Sequence, residues 1–421
     1  MGQVHPGRVT GTEPSPAAGL PNPETRYAYD GQDRLIQVSD PRQLVTRYDI
    51  DGLGETGAIV SPDTGATRLA HDAAGNLVRR TDAKGQVTTY THDALNRVSQ
   101  TRFHDGSRYE HGYDQGPNGH GRLTRLAEFD AADTLVRQTD YAYDPHGRIL
   151  SETRQEGGRT ATTGYAYDGA GRLAELTYPS GRKVGYAYDP AGRVDGLTTQ
   201  APGETQARPV VQGVAYHPFG GVAGYGQGNG RTQSRPHDLD GRLAGYTLAG
   251  VRHDLNYDAA GQLVAIHPEG GAPNLYGYDP LGRLEATRLP GSHYAGYTYD
   301  AVGNRLSRSL DASTTVNTYA PTSNRLASAA GVEQSFDANG SLISNGATAF
   351  QYDPRGRLIQ AGATDYQLDA QGRRTRKRSS TADTQYHYDL AGHLLAEHGP
   401  DGTVRKEYLW LGDLPVAVVG K

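Results

Sequence analysis

The chain has no cysteine, one methionine, one tryptophan and only 5 phenylalanines in 421 residues. Without cysteine there is no disulfide framework, which is compatible with either redox compartment. Without Met and Phe in quantity, a conventional core has little to be built from. Hydrophobic residues make up 35% of the chain, against roughly 45–50% in ordinary domains on a count that includes Gly. No apolar run reaches the roughly 18 residues of a membrane-spanning helix, so no membrane span is expected. The opening MGQVHPGRVTGTEPSPAAGLPNPE lacks the apolar stretch of a signal peptide. Export is therefore expected to rely on an upstream signal or on a machine that needs none. Neither sign of charge dominates, with 42 Lys and Arg against 47 Asp and Glu, and no nucleic-acid partner is expected.

What is abundant is Gly, at 56, and Tyr, at 28. Both fall into a repeated phrase, Tyr-x-Tyr-Asp-x-x-Gly-Arg-Leu. Its clearest copies contain Tyr143, Asp144, Gly147 and Arg148; Tyr167, Asp168, Gly171 and Arg172; Tyr188, Asp189, Gly192 and Arg193; Tyr278, Asp279, Gly282 and Arg283; and Tyr352, Asp353, Gly356 and Arg357. Related copies surround Asp300 and Asp389, and decayed ones surround Asp72, Asp93, Asp238 and Asp258. Asp168 to Asp189, Asp258 to Asp279 and Asp279 to Asp300 are each 21 residues. Self-similarity at a fixed period marks a repeat architecture.

Each unit reads as a hairpin. Tyr-x-Tyr puts two rings on one strand face, because side chains alternate with period two. Asp ends the strand by accepting nearby backbone N–H groups, and Gly three residues on supplies positive φ. Asn76, Asn304 and Asn324 lie in or beside the Gly-Arg slot, and Asn also tolerates the left-handed region. Segments such as those at Pro179 and Ala83 supply the second turn. A single hairpin is only marginally stable, so neighbours must pair edge to edge. About seventeen hairpins give roughly 34 strands. At about 4.8 Å each they form a strip about 160 Å long, which would close into a ring about 50 Å across. The predicted fold is all-β: tandem antiparallel hairpins over residues 26–421, coiled into a spiral sheet forming part of a hollow shell. Residues 1–25, with five prolines, are expected to form a linker or an extended edge segment.

These units resemble the YD repeats of the Rhs family, which also occur in teneurins and in insecticidal toxin complexes. YDQGPNGHGRLTRL from Tyr113 resembles the long-turn form of the repeat, and EYLWLGDLPVAVV from Glu407 resembles the segment before the Rhs-associated core domain. The resemblance implies a β-sheet cocoon around a C-terminal toxin, with an aspartyl autoprotease in the core domain. That core domain is not found before Lys421, so the array is expected to be truncated ahead of it.

Candidate sites are weighed on this background. One Asp per turn is what turn-building requires, so the recurring Asps, including those in Asp-Pro pairs at Asp144, Asp189, Asp279 and Asp353, are read as structural. No catalytic residue, cofactor or metal site is assigned. His71, His92 and His237 occupy the slot that Tyr fills elsewhere, and His217 takes an Asp slot. The basic run Gly372–Arg378 is read as strand charges facing carboxylates of adjacent strands, and Gly224–Thr232 as a long hairpin turn. The motif Arg is expected to pair with the Asp of a neighbouring repeat.

The leading functional expectation is a wall segment of an Rhs-type cocoon, non-enzymatic and secreted or cell-surface. Its own C-terminal toxin would be cargo, and a secretion machine or neighbouring shell chains would be further partners. The alternative is a cell-surface module that binds glycans or proteins through exposed Tyr and Arg. An autoprotease or grafted hydrolase is a third reading, weakened by the lack of a nucleophile–base constellation outside the repeat.

Overall fold

The computed structural model describes residues 23–420 except 219 and 292. Most of the expected 1–25 linker lies outside the described residues. Among those described, there are 39 strands and no helix, so nothing helical is long and apolar enough to cross a membrane. The strand count exceeds the expected 34 because tight reversals cut parts of the chain very short. Leu326–Ala329 and Val332–Glu333, for example, are joined through Ala330 and Gly331, both at positive φ. Such a two-residue turn leaves no trace in a 21-residue period.

The chain forms two compact units, each made of two chain segments: 1–96 with 254–356, and 97–253 with 357–421. In the first unit, consecutive strands pair antiparallel from Arg26–Tyr29 to Val87–His92. The second segment does the same from Leu263–Pro268 to Leu326–Ala329. The two segments meet through polar contacts. Arg42 donates to the Ser323 and Ala320 carbonyls at 2.8 Å each, Asn324 donates to Asp40 at 2.9 Å, and Lys84 lies 3.2 Å from Asp337.

The second unit holds the apolar core. Tyr165, Leu176, Tyr178, Val184, Leu197, Val211 and Val214 cluster with Leu395, Leu409 and Leu411. The Tyr-x-Tyr phase accounts for this arrangement. In Arg159–Tyr167, Thr163 and Tyr165 are buried while Ala166 between the two tyrosines is exposed. The strand Val404–Leu411 presents Leu409 and Leu411 to the same cluster by the same alternation. Burying such aliphatic side chains contributes roughly 1.5–3 kcal/mol each, but only 17 apolar residues are this buried among the described ones. The sheet is therefore thin, and most of its ordering comes from repeated local contacts.

Candidate functional site

The repeat turn is the structural unit from which everything else is built, and Asp168–Arg172 shows it fully. Asp168 N–H donates to the Arg172 carbonyl and Gly171 N–H to the Asp168 carbonyl, both at 2.9 Å. Asp168 Oδ1 accepts the Ala170 and Arg172 N–H groups at 2.9 Å, and Oδ2 accepts Arg172 Nε–H at 2.7 Å. Gly171 sits at φ +84°, a conformation that would strain a residue with a Cβ. This is a three-residue hairpin loop, a type I turn closed by a left-handed residue and a bulge. Register shifts recur at the bulge between Ala142 and Tyr143, Ala166 and Tyr167, Ala187 and Tyr188, and Gly277 and Tyr278.

The same clamp joins Asp144 to Arg148 at 2.6 Å, Asp189 to Arg193 at 2.8 Å and Asp279 to Arg283 at 2.7 Å, with Gly147, Gly192 and Gly282 at positive φ. In the Asp353 turn, Gly356 N–H donates to the Asp353 carbonyl at 2.9 Å. The Arg172 N–H and side chain hold the Asp168 carboxyl below its usual range, and those of Arg193 do the same for Asp189. The motif Asp thus has both oxygens engaged by its own turn.

The expected pairing of motif Arg with a neighbour's Asp is corrected by this geometry. A four-residue offset within the turn brings the guanidinium to its own carboxylate first. The neighbouring repeat is reached through its tyrosine and, from Arg283 and Arg357, through the backbone carbonyl of its turn Asp, Asp300 and Asp369. Arg148 stacks over Tyr167 at 4.4 Å, Arg172 over Tyr188 at 4.3 Å, Arg193 over Tyr216 at 4.8 Å and Arg283 over Tyr299 at 4.9 Å. The hydroxyl of the same ring donates to the carbonyl just after that Arg: Tyr167 to Ile149, Tyr188 to Leu173, Tyr216 to Val194 and Tyr299 to Leu284, at 2.7–2.9 Å. Tyr143, Tyr278 and Tyr352 repeat the bond to Leu123, Leu263 and Leu342. An Arg–Asp bridge between repeats does form in the long turn. Arg97 Nη2 lies 2.6 Å from Asp114, whose carboxyl it and the Gly121 N–H pull down to about 2.

Other readings resolve locally. The long turn from Asp114 closes on the Arg122 carbonyl. His217 keeps the turn's backbone bonds to Gly221 and Gly220 without an Asp. Gly224–Thr232 is not a long turn: Gln227 takes the Asp position and bonds Arg231 and Gly230 as in any other repeat. The second turns use the same geometry, with Tyr178 or Asp82 leading. Asn76 and Asn304 occupy the Arg position, where each donates to its turn Asp. The left-handed slot goes to Asp33, Gln43, Asn96 and Asp133, whereas Asn324 is not among the positive-φ residues. In the basic run, Arg373 bonds Asp369 and Glu152, Arg376 bonds Asp383, and Arg378 bonds Asp365.

The residues that sequence reading missed are buried charges in the second unit. Arg137 donates to Glu128 at 2.8 Å, to the Leu368 carbonyl at 2.9 Å, to Thr375 at 3.0 Å and to Glu156. Burial pushes the Glu128 carboxyl up despite Arg137 beside it. Arg154 donates to the Tyr386 carbonyl and to His387 Nδ1. Arg182 and Ser180 both bond Glu407, and the Tyr178 hydroxyl donates to the Tyr408 carbonyl at 2.6 Å. These contacts tie hairpins 123–182 to hairpins 357–411. A signal for them existed, since Arg137 and Thr139 are in period-two phase with Tyr141 on one strand.

Comparison with known proteins agrees with this geometry. The Teneurin YD-shell family matches residues 273–393, and the RHS Repeat matches 71–108, 143–183 and 167–205. The toxin protein Tse5 of Pseudomonas aeruginosa is 42% identical over 80 residues, which is 18% of this chain and 6% of that toxin. The Photorhabdus luminescens Tc holotoxin pore superposes with TM-score 0.74 at 18% identity, over 92% of this chain and 26% of that one. TcdB2-TccC3 superposes at 0.73 and 18% identity, over 94% of this chain and 27% of its own. The chain thus spans about a quarter of the length of the solved chains it resembles. Its repeated Asp-Gly-Arg turns, each locked to the next by a tyrosine, place it in the Rhs/YD-repeat family, with the fold of the YD shell.

Proposed function

We propose that this chain is a structural wall segment of a secreted toxin shell, enclosing a polypeptide toxin as cargo. The observation that carries this reading is the tyrosine ladder. Successive repeats are fastened by Arg–Tyr stacks and Tyr–carbonyl bonds, so each unit is built of thin antiparallel sheet with few buried apolar residues among those described. Such a sheet suits a wall, because it covers area without filling volume. The likeness to Tc toxin structures and to a toxin protein supports the toxin context. The motif Asps are committed to turns, which supports a non-enzymatic role for the repeats.

Small-angle scattering on the full chain tests the wall. A compact globule of 421 residues has a radius of gyration of about 22 Å. A larger value with a depleted centre is expected. A filled, compact profile would overturn the encapsulation reading in favour of a binding module.

A further inference from the structure

The last rungs of the ladder in the second unit differ in one respect. Arg373 bonds Asp369 at 2.7 Å and lies 5.8 Å from the centre of the Tyr388 ring, whose hydroxyl donates to the Arg374 carbonyl at 2.9 Å. The following turn, Asp389 to His393, keeps this plan with two exchanges. His393 stands in the Arg position and Trp410 takes the part of the tyrosine. The two rings stack at 4.7 Å, and the indole N–H donates to the Leu394 carbonyl at 2.9 Å. The His393 backbone N–H donates to Asp389 Oδ1, and its Nδ1 lies 2.8 Å from Asp389 Oδ2, where Arg172 Nε sits in its own turn.

The exchange has a consequence because arginine is permanently charged and histidine is not. His393 also makes a second carboxylate contact, with Nε2 at 3.0 Å from Asp413 Oδ1. Asp413 lies in the turn between strands Val404–Leu411 and Leu414–Gly420. The second of these is the terminal strand of its sheet among the described residues, and pairs with the first alone. Ionised carboxylates only accept, so both contacts are hydrogen bonds only when both ring nitrogens carry protons. The neutral ring has one donor to give. The Asp389 side chain is 13% exposed and Asp413 is 99% exposed. An acceptor left unpaired is costly where it is buried and cheap where water replaces the bond. The single donor therefore stays with Asp389.

The surrounding charges do not alter this assignment. Arg373 reaches the Asp389 carbonyl at 3.4 Å, and the Tyr165 hydroxyl accepts the Leu390 N–H at 3.1 Å. Tyr165, Tyr178 and Tyr186 feel the Asp389 charge, but burial pushes all three above their ordinary value and keeps them neutral while a histidine titrates. Burial pulls His393 down, and the bonds to Asp389 and Asp413 outweigh it, raising the ring above 6.5. A raised cation stabilises fully below its unfolded value and loses that contribution as pH rises through its folded value.

We propose that His393 is a pH-sensitive clasp on the hairpin Val404–Gly420. As the imidazolium it ties the hairpin turn at Asp413 to the turn at Asp389, and as the neutral ring it keeps Asp389 and lets Asp413 go. The hairpin's apolar residues Leu409 and Leu411 stay buried in either state, so the change is a loosening of the turn and the edge strand.

The test uses the full chain, whose one tryptophan is Trp410. An imidazolium stacked on an indole quenches its fluorescence, so emission should rise with pH in one step with a midpoint above 6.5. The step should vanish in His393→Arg, which restores the ladder's usual cation, and in His393→Gln. Asp413→Asn should move the midpoint down. Amide hydrogen exchange over residues 412–420, divided by that of His393→Arg at the same pH, reports the loosening itself. That ratio should rise about two- to five-fold between about pH 5.5 and about pH 8.5, the range an exposed ion pair supports. A step that persists in His393→Arg, a midpoint unmoved in Asp413→Asn, or an exchange ratio constant with pH would overturn the proposal.

Discussion

Replacing Arg137 with Met should be among the most damaging single changes in the second unit. The side chain is 6% exposed and faces Glu128, itself 5% exposed, together with Glu156, Thr375 and the Leu368 carbonyl. Met fills similar volume but leaves the Glu128 carboxylate buried beside no cation. Removing one partner of a buried ion pair costs about 3–5 kcal/mol, because the remaining charge must be desolvated uncompensated. The chain's one tryptophan, Trp410, is in the same unit, stacks on His393 and donates to the Leu394 carbonyl at 2.9 Å. Its fluorescence therefore reports the unit's unfolding in urea. At a typical slope of 1–3 kcal/mol per molar, the midpoint should fall by at least about 1 M. The double change Arg137→Met with Glu128→Gln should recover a substantial part of the loss, since it removes the stranded charge. A single variant that loses less than about 1 kcal/mol would refute the reasoning, given the usual cost of breaking buried pairs. A double variant no better than the sum of its singles would refute it as well.

Two further outcomes follow from the turn geometry. Gly171→Ala forces a Cβ into φ +84° and within 3.1 Å of Arg148 Nη1, and should cost about 1–2 kcal/mol. Gly169→Ala in the same turn meets nothing within 4 Å and should change stability by less than about 0.5 kcal/mol; equal effects in urea melts would count against the left-handed turn. The second outcome concerns Asp114, whose carboxyl is lowered from 3.8 to about 2 by Arg97 and Gly121. A depressed acid stabilises the fold above its unfolded value and loses that contribution as pH falls through its folded value. The stability gap between wild type and Asp114→Asn should therefore be full near neutrality and close between about pH 4 and pH 2; a gap that persists at pH 2 in denaturant titrations would contradict the Arg97 bridge.

The sequence by itself determined the unit and its local geometry. Period two in Tyr-x-Tyr, the Asp that accepts its own turn's N–H groups and the Gly at positive φ are short-range facts. They specify the same hairpin wherever they are written, even where His217, Gln227 or Tyr178 leads the turn. The absence of helix among the described residues followed from the same pattern.

What the tertiary structure alone decided lies between repeats and between distant hairpins. That Arg172 clamps Asp168 and stacks on Tyr188, instead of pairing with a neighbour's Asp, depends on the bulge rotating the tyrosine over the guanidinium. No residue pattern states the angle. The burial of Arg137, Arg154 and Glu407 depends on hairpins more than 220 residues apart being brought together. The short strand Val332–Glu333 likewise arises from a two-residue reversal at Ala330 and Gly331 that the long period hides. Local turn chemistry is encoded within five residues and can be read directly. The partners of a charged strand residue are fixed only when the sheet's course brings a second segment against it, and that course is a sum of many small twists that no single repeat records.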